Sequence, residues 1–348
     1  MNREYDTVSL DDERGVLVAI DQTKLPNALE FLALSTPPDI RDAIRSLQIR
    51  GAPAIGVAAA FGYYLAARNA AVSGDALWEA LREAKQTLAS SRPTAVNLFW
   101  ALERMERSAF SCPDRQNLIQ RLKAEAVSIR DEDVASCRAI GGYGLTLLKD
   151  GDGILTHCNA GRLAAVRYGT ALAPVYVGAE RGARFKVYAT ETRPLMQGAR
   201  LTAYELSAAG IDVTLICDNM ASRVMRNGWV RAVITGCDRV AANGDVCNKI
   251  GTSALAVLAA HYSIPFYVCA PLSTVDLRTA SGDEIPIEER DGGEVSEMWF
   301  QKPSAPAGVK IYNPSFDVTP HSLVSAIVTE RGVLRAPYAE SLRGAKHS

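Results

Sequence analysis

The spacings that mark a metal site or a disulfide framework are missing from this chain. Its seven cysteines (112, 137, 158, 217, 237, 247 and 269) include no CxxC pair, and its four histidines no HxxxH pair. An odd, unpaired set of thiols points to small core residues in a reducing compartment and away from zinc. Charge of one sign is missing too: no basic block of five or more residues occurs, and the formal net charge is −1. Nucleic acid and anionic membrane are therefore not expected partners. The polar start MNREYDTVSLDDERG has no signal-peptide character. The longest apolar-looking run, GAPAIGVAAAFGYYLAA at 51–67, carries Pro53 and is too short and Ala-rich to span a bilayer. A cytoplasmic protein is expected. No Ser–His–Asp set, Walker loop or GxGxxG fingerprint is present, which withdraws support from hydrolase, nucleoside triphosphatase and dehydrogenase readings.

What is present is a globular composition, 48% hydrophobic and 22% charged, over 348 residues. That length exceeds one ordinary core, so two domains are expected, at 1–130 and 131–348. The first third reads as mainly helical after a short β start, GVLVAIDQT. Helical spacing fits PDIRDAIRSL, the Ala-rich run after Pro53, DALWEALREAKQTLAS and TAVNLFWALERMERSAF. Ser35-Thr36-Pro37-Pro38 and Ser91-Arg92-Pro93-Thr94 supply capping and breaking residues, and CPDRQ at 112–116 breaks the pattern. A long polar helix then runs from about Gln116 towards Leu148, linking the two halves.

From residue 151 short apolar runs alternate with helical stretches: GILTH, FKVYAT, DVTLIC, RAVITG and PFYVCA. Near-continuous apolar runs suit parallel strands covered on both faces. The expected fold is α/β: a helical N-terminal domain with a small β element, then a Rossmann-like open parallel sheet. Polar residues gather at the strands' carboxyl ends, where such sheets bind ligands. They are Cys158 and Asn159, Glu191 and Arg193, Asp218 and Asn219, Asp238, and Ser273 to Asp276.

The run GCDRVAANGDVCNKIGT (236–252) is the most informative. It delivers Asp238 past an apolar strand and continues through an NGD turn into Asn248, Lys249 and Gly251, ahead of the apolar helix SALAVLAAHY. An acid beside a lysine-bearing loop that feeds a helix amino terminus can move a proton and hold an anion. A carboxylic acid at such a strand end is poorly solvated, which favours its neutral, proton-donating form; the plain alternative is an ion pair with Arg239. Arg50-Gly51-Ala52-Pro53 opens a helix with a guanidinium at its mouth, either a phosphate cradle or a close-packed helix start. Cys158 follows a strand and is either a reactive thiol or core packing, and His157 beside it is expected to face the other way. Glu191-Thr192-Arg193-Pro194 and Gln197-Gly198-Ala199-Arg200 either clamp a sugar phosphate or form a salt-bridged loop.

Taken together, RGAPAIG (50–56), THCNAG (156–161), YGTAL (168–172), ETRP with QGARLTAYEL (191–206) and GCDRVAANGDVCNKIGT resemble the methylthioribose-1-phosphate isomerases. These are relatives of the regulatory alpha, beta and delta subunits of the eukaryotic initiation-factor exchange complex. DQTKLP (21–26), PLSTVD (271–276), IPIEER (285–290) and NPSFDVTPHSLVSAIVTERG (313–332) extend the likeness over nearly the whole chain. The resemblance implies a homodimeric aldose–ketose isomerase that needs no cofactor and no metal and acts in methionine salvage. On that resemblance Asp238 is the proton donor and Cys158 stabilises the transition state. Arg50, Gly51, Ala52, Arg92, Gln197, Asn248 and Lys249 bind substrate.

Cys237 and Cys247 stand where the family usually has Ala, and Arg162 and Val166 where it has small residues. The alternative implied by a close subgroup is therefore a 5-deoxyribose-1-phosphate isomerase. A non-catalytic sugar-phosphate or nucleotide sensor is the rival from another class; such relatives lack the Cys and Asp pair. A ribose-1,5-bisphosphate isomerase would need a second basic set, which the sequence does not display.

Overall fold

A computed structural model of the chain describes residues 5–70, 75–92, 95–112 and 117–347. The N-terminal part opens with an antiparallel sheet, β1 (Val8–Asp11), β2 (Val16–Ile20) and β3 (Phe31–Leu34), in which β2 is central. The expected β start is its middle strand. Five helices follow: α1 (Pro37–Arg45), α2 (Ala52–Asn69), α3 (Asp75–Ala89), α4 (Val96–Phe110) and α5 (Leu118–Leu145). Helix α1 starts where the sequence places it, with Thr36 as N-cap accepting from the Asp39 N–H and prolines in the first turn. Helix α2 is buried almost all round, and its Ala and Gly content lets α4 and α5 pack closely on it. Residues 113–116, with most of the CPDRQ break, lie outside the described residues, as do Pro93 and Thr94.

Helix α5 is the expected long helix, and residues 130 and 131 lie within it. It serves two cores. Leu118, Leu122, Ala126 and Ile129 pack with the N-terminal helices, while Ile140 packs under the following sheet.

Beyond it the chain alternates: β4 (Gly153–Thr156), α6 (Ala173–Glu180), β5 (Lys186–Thr190), α7 (Ala203–Ala208), β6 (Asp212–Ile216), α8 (Ala221–Arg226) and β7 (Ala232–Thr235). Then come β8 (Arg239–Ala241), β9 (Val246–Lys249), α9 (Thr252–His261), β10 (Phe266–Cys269), β11 (Val275–Asp276) and α10 (Gly293–Ser296). Strands β12 (Phe316–Thr319), β13 (Ala326–Thr329), β14 (Gly332–Leu334) and helix α11 (Tyr338–His347) complete the described chain.

A seven-stranded sheet runs β14-β13-β10-β7-β4-β5-β6 and is parallel except for β14. From β4 the chain builds outward through β5 and β6, then returns and builds the other way through β7, β10 and β13. That is the doubly wound Rossmann order, with its switch point between β4 and β7. All four residues of β4, β7 and β10 are buried, and separate apolar clusters cover the two faces. The five expected strands all lie in this sheet; β13 and β14 enlarge it.

A second sheet, β11-β8-β9-β12, was not expected. Asn248 and Lys249 belong to its strand β9, whereas the sequence reading put them in a loop. The polar pair masks the strand locally, and pairing with β12 imposes it (Phe316 opposite Lys249). Among the described residues no helix is long and apolar enough to cross a membrane.

Candidate functional site

Cys158 and Asp238 leave the carboxyl ends of β4 and β7, the two adjacent strands where the winding direction reverses. The chains diverge there and open a crevice at the sheet edge.

Cys158 is held in an unusual conformation. Its φ is 60°, a left-handed value that costs a non-glycine residue about 1–3 kcal/mol. The surroundings enforce it: the Cys158 N–H donates to Thr192 Oγ1 at 2.8 Å, and the Cys158 carbonyl accepts from Thr202 Oγ1 at 2.6 Å. Thr192 is itself left-handed at φ 64°, and its backbone N–H is fixed by Asp218 Oδ1 at 2.8 Å. His157 turns away from the thiol and is buried. Its Nε2 donates to the Ile250 carbonyl at 2.8 Å, which leaves Nδ1 to accept from Thr190 Oγ1 at 2.7 Å. Burial lowers its pKa and so favours the neutral ring, with which those bonds are consistent.

Asp238 is placed by the hairpin of β8 and β9. Its N–H donates to the Cys247 carbonyl at 2.9 Å, and Lys249 lies further along the same β9. One small sheet therefore fixes both an acid and a cation. Arg239, the sequence-level partner for Asp238, reaches Asp276 at 3.7 Å.

Arg50, Gly51, Arg92, Cys158, Gln197, Asp238 and Lys249 line one cavity, with Leu47, Leu195, Arg290, Ser315 and Phe316 completing its walls. It offers about 50 Å³ to the centres of water-sized groups. Burial lowers the pKa of Arg50 and of Lys249, and the Cys158 and Asp238 side chains work against that shift in both. For Lys249 the nearby Arg92 and Arg290 add to the lowering, and its ammonium rests 4.6 Å from the centre of the Phe316 ring. Two buried oxygens on this wall, Gln197 Oε1 and Ser315 Oγ, have no hydrogen-bond partner among the described residues. An unpaired buried polar group costs about 1–3 kcal/mol, so two beside four cations suit an anionic, hydroxyl-bearing ligand.

Arg50 crosses from the N-terminal helices to the sheet. Its guanidinium donates to Asn159 Oδ1 at 2.5 Å and to the Asn159 carbonyl at 2.7 Å. Asn159 in turn donates to Glu205, which also accepts from Tyr176 at 2.7 Å and from the Arg162 N–H at 2.7 Å. Gly51, the N-cap of α2, has φ 95°, and a Cβ there would sit 2.3 Å from the Ala164 carbonyl oxygen. Only glycine lets that helix start approach so closely.

Other sequence candidates fall elsewhere. Ala52 lines a smaller neighbouring cavity, and the Asn248 amide donates to Thr252 Oγ1 at 3.0 Å. Arg193 and Arg200 turn away to hold backbone carbonyls and to pack on Phe300 and Trp299. The amino terminus of α9, read as an anion seat, already holds an anion of the protein's own. Asp317 accepts from the Gly251 and Ser253 N–H groups, and burial pushes its carboxyl up to about 6.

Sequence reasoning passed over Arg290 and Ser315 although both lie in quoted motifs. Glu288 bridges Arg290 (3.0 Å) and Arg92 (3.5 Å), so two cavity arginines share one carboxylate. A larger groove, about 860 Å³ along α5, shares no residue with the site. Several of its charges pair with one another, Arg130 with Asp131 at 2.7 Å and Arg167 with Asp6.

Comparison with known proteins adds independent findings. The model of the Initiation factor 2 subunit family matches residues 48–336. A methylthioribose-1-phosphate isomerase of Symbiobacterium thermophilum is 59% identical over 99% of this chain and 96% of its own. A 5-deoxyribose 1-phosphate isomerase of Moorella thermoacetica is 56% identical over 94% of each. The crystal structure of 5-methylthioribose 1-phosphate isomerase from Pyrococcus horikoshii superposes with a TM-score of 0.92. It is 41% identical, over 99% of this chain and 96% of that one.

Proposed function

The chain belongs to the Initiation factor 2 subunit family, and we propose that it is an aldose–ketose isomerase converting 5-methylthioribose 1-phosphate to 5-methylthioribulose 1-phosphate. The observation that carries this reading is the emergence of Cys158 and Asp238 from adjacent strands at the switch point, facing one cavity with Arg50, Arg92, Lys249 and Arg290. Curated relatives of this name, similar along nearly the full chain, support it.

A ribose 1-phosphate cannot open as a free hemiacetal, because phosphate blocks the anomeric oxygen. Asp238 donates a proton to the ring oxygen as the C1–O4 bond breaks. Hydrogen then passes from C2 to C1, and the C2 hydroxyl gives its proton to a base, leaving a ketone. The reaction is internally redox-neutral, so it calls for no cofactor. The arginines and Lys249 hold the phosphate, with the amino terminus of α2 adding its dipole. Gln197 meets sugar oxygens, and Cys158 faces the reacting carbons, where its polarisable sulfur stabilises developing charge. Leu47, Leu195 and Phe316 keep water from the intermediates.

The cavity is narrower than a pentose phosphate, so substrate enters by parting its walls. A cavity of about 470 Å³ shares Leu47, Arg92 and Arg290 with it and forms the approach. The working form is read as a cytoplasmic homodimer, as the family resemblance implies; sizing by light scattering tests it.

The second reading, isomerisation of 5-deoxyribose 1-phosphate, is favoured by the several relatives of that name at 50–56% identity. A proton NMR time course on an equal mixture of the two sugar phosphates decides. Faster loss of the methylthio substrate's anomeric signal supports the first reading, and faster loss of the deoxy signal the second. Decay of neither removes the isomerase reading.

A further inference from the structure

The reaction proposed above constrains where the far end of the substrate lies. Asp238 touches the ring oxygen; that oxygen is bonded to C4, and C4 carries C5. Whatever hangs on C5 therefore starts within a few bonds of the Asp238 carboxyl. Asp238, with Arg92 and Phe316, lines not only the cavity of Cys158 but also a second, smaller one. The walls of the second are mainly apolar: Ala52 and Ile55 from α2, Cys247 from β9, and Ile285 and Pro286 from the segment between β11 and α10. Its rim guanidiniums are engaged, Arg92 with Glu288 and Arg239 with Asp276.

We propose that this cavity is the subsite for the 5-substituent and that Cys247 and Ile285 set the size of the group it takes. The inference rests on the isomerase reading and decides between its two substrates. The cavity is small, with about 30 Å³ open to the centres of water-sized groups. A methylthio group adds a sulfur and a methyl beyond C5, both apolar, which suit those walls. A 5-deoxy sugar adds none and leaves the space unfilled. A 5-phosphate is too large and brings charge to an apolar wall. Burial pushes the Cys247 thiol up to about 12, so it lies there as a neutral, polarisable surface facing the substrate's sulfur.

The test is kcat/KM on 5-methylthioribose 1-phosphate and on 5-deoxyribose 1-phosphate, for the intact protein and for Cys247→Leu. The intact protein is expected to prefer the methylthio sugar by about 10-fold to 100-fold. Cys247→Leu fills the cavity and should lower that ratio by about 10-fold or more. A leucine variant that folds, by circular dichroism and melting, and keeps the ratio unchanged overturns the proposal, as does an intact protein that prefers the deoxy sugar. Should the leucine variant fail to fold, Ile285→Ala decides. It is expected to gain turnover of the 5-ethylthio analogue relative to the methylthio substrate, and no relative gain overturns the subsite. An intact protein inert on both sugars removes the isomerase reading itself, a result distinct from activity with an unmoved ratio.

Discussion

Arg50 forks onto Asn159, one bond to the side-chain oxygen at 2.5 Å and one to the carbonyl at 2.7 Å, and so joins the start of α2 to the residue after Cys158. The contact couples the placement of this cavity cation to the strand end that carries the thiol.

Asn159→Ala should leave Arg50 with one anchor. Misplacement of a substrate-holding group by about 1 Å costs on the order of 100-fold in rate, so kcat/KM is expected to fall about 10-fold to 100-fold. The Glu205 carboxylate also loses a partner, which costs about 1–3 kcal/mol of stability. Combined with Arg50→Lys, which cannot fork, the effects on kcat/KM should be far from additive. A double-mutant cycle measures this, and additive effects would disprove the coupling.

Asp238→Asn removes the transferable proton but keeps size and hydrogen bonding. Turnover should fall by about 100-fold to 10,000-fold, while calorimetric titration with the ketose product still shows binding. A variant with ordinary turnover would end the proton-donor role.

Cys158→Ser keeps the size and the enforced φ of 60°, so its melting temperature should be close to that of the parent. Activity is expected to drop by about 100-fold, the scale of losing one group that stabilises developing charge. Parental turnover would reduce Cys158 to packing.

Stability should carry an unusual pH signature from Asp133 on α5. Its carboxylate accepts the Val166 N–H at 2.8 Å, and burial pushes its pKa up to about 7. In the unfolded chain it titrates near the usual value of about 3.9. Between those values the folded chain holds a proton that the unfolded chain has released. The contribution is therefore fully present below about pH 4 and is lost as pH rises through about 7. Asp133→Asn fixes the neutral form, so it should match the parent near pH 4.5 and exceed it at pH 8. Urea midpoints at the two values test this. Asp317, also raised, acts alike in both proteins, so the difference between them isolates Asp133.

The sheet was legible because β4, β7 and β10 are buried on both faces and show as unbroken apolar runs. Helix α1 was legible from its Thr-Pro-Pro start. Strand β9 was not: it ends in Asn248 and Lys249, and the residues that pair with those two lie far along the chain in β12. Arg290 and Ser315 carry no local signal, since only folding brings them beside Lys249. The expected anion seat at α9 failed for the same reason; nothing near Gly251 in sequence announces that Asp317 will cap it. Arg193 and Arg200 have the right chemistry for a sugar phosphate, and tertiary contacts spend it on carbonyls and rings.

The delivery of thiol and acid by two separate strand ends has an evolutionary corollary. Neither Cys158 nor Asp238 belongs to the proposed phosphate grip, which comes from other segments, with Arg50 at the head of α2 and Lys249 at the end of β9. Losing either reactive side chain would silence the chemistry and spare recognition. A duplicated copy of such a gene lies a single codon change away from a metabolite receptor, a short route by which one architecture can populate both catalysis and control.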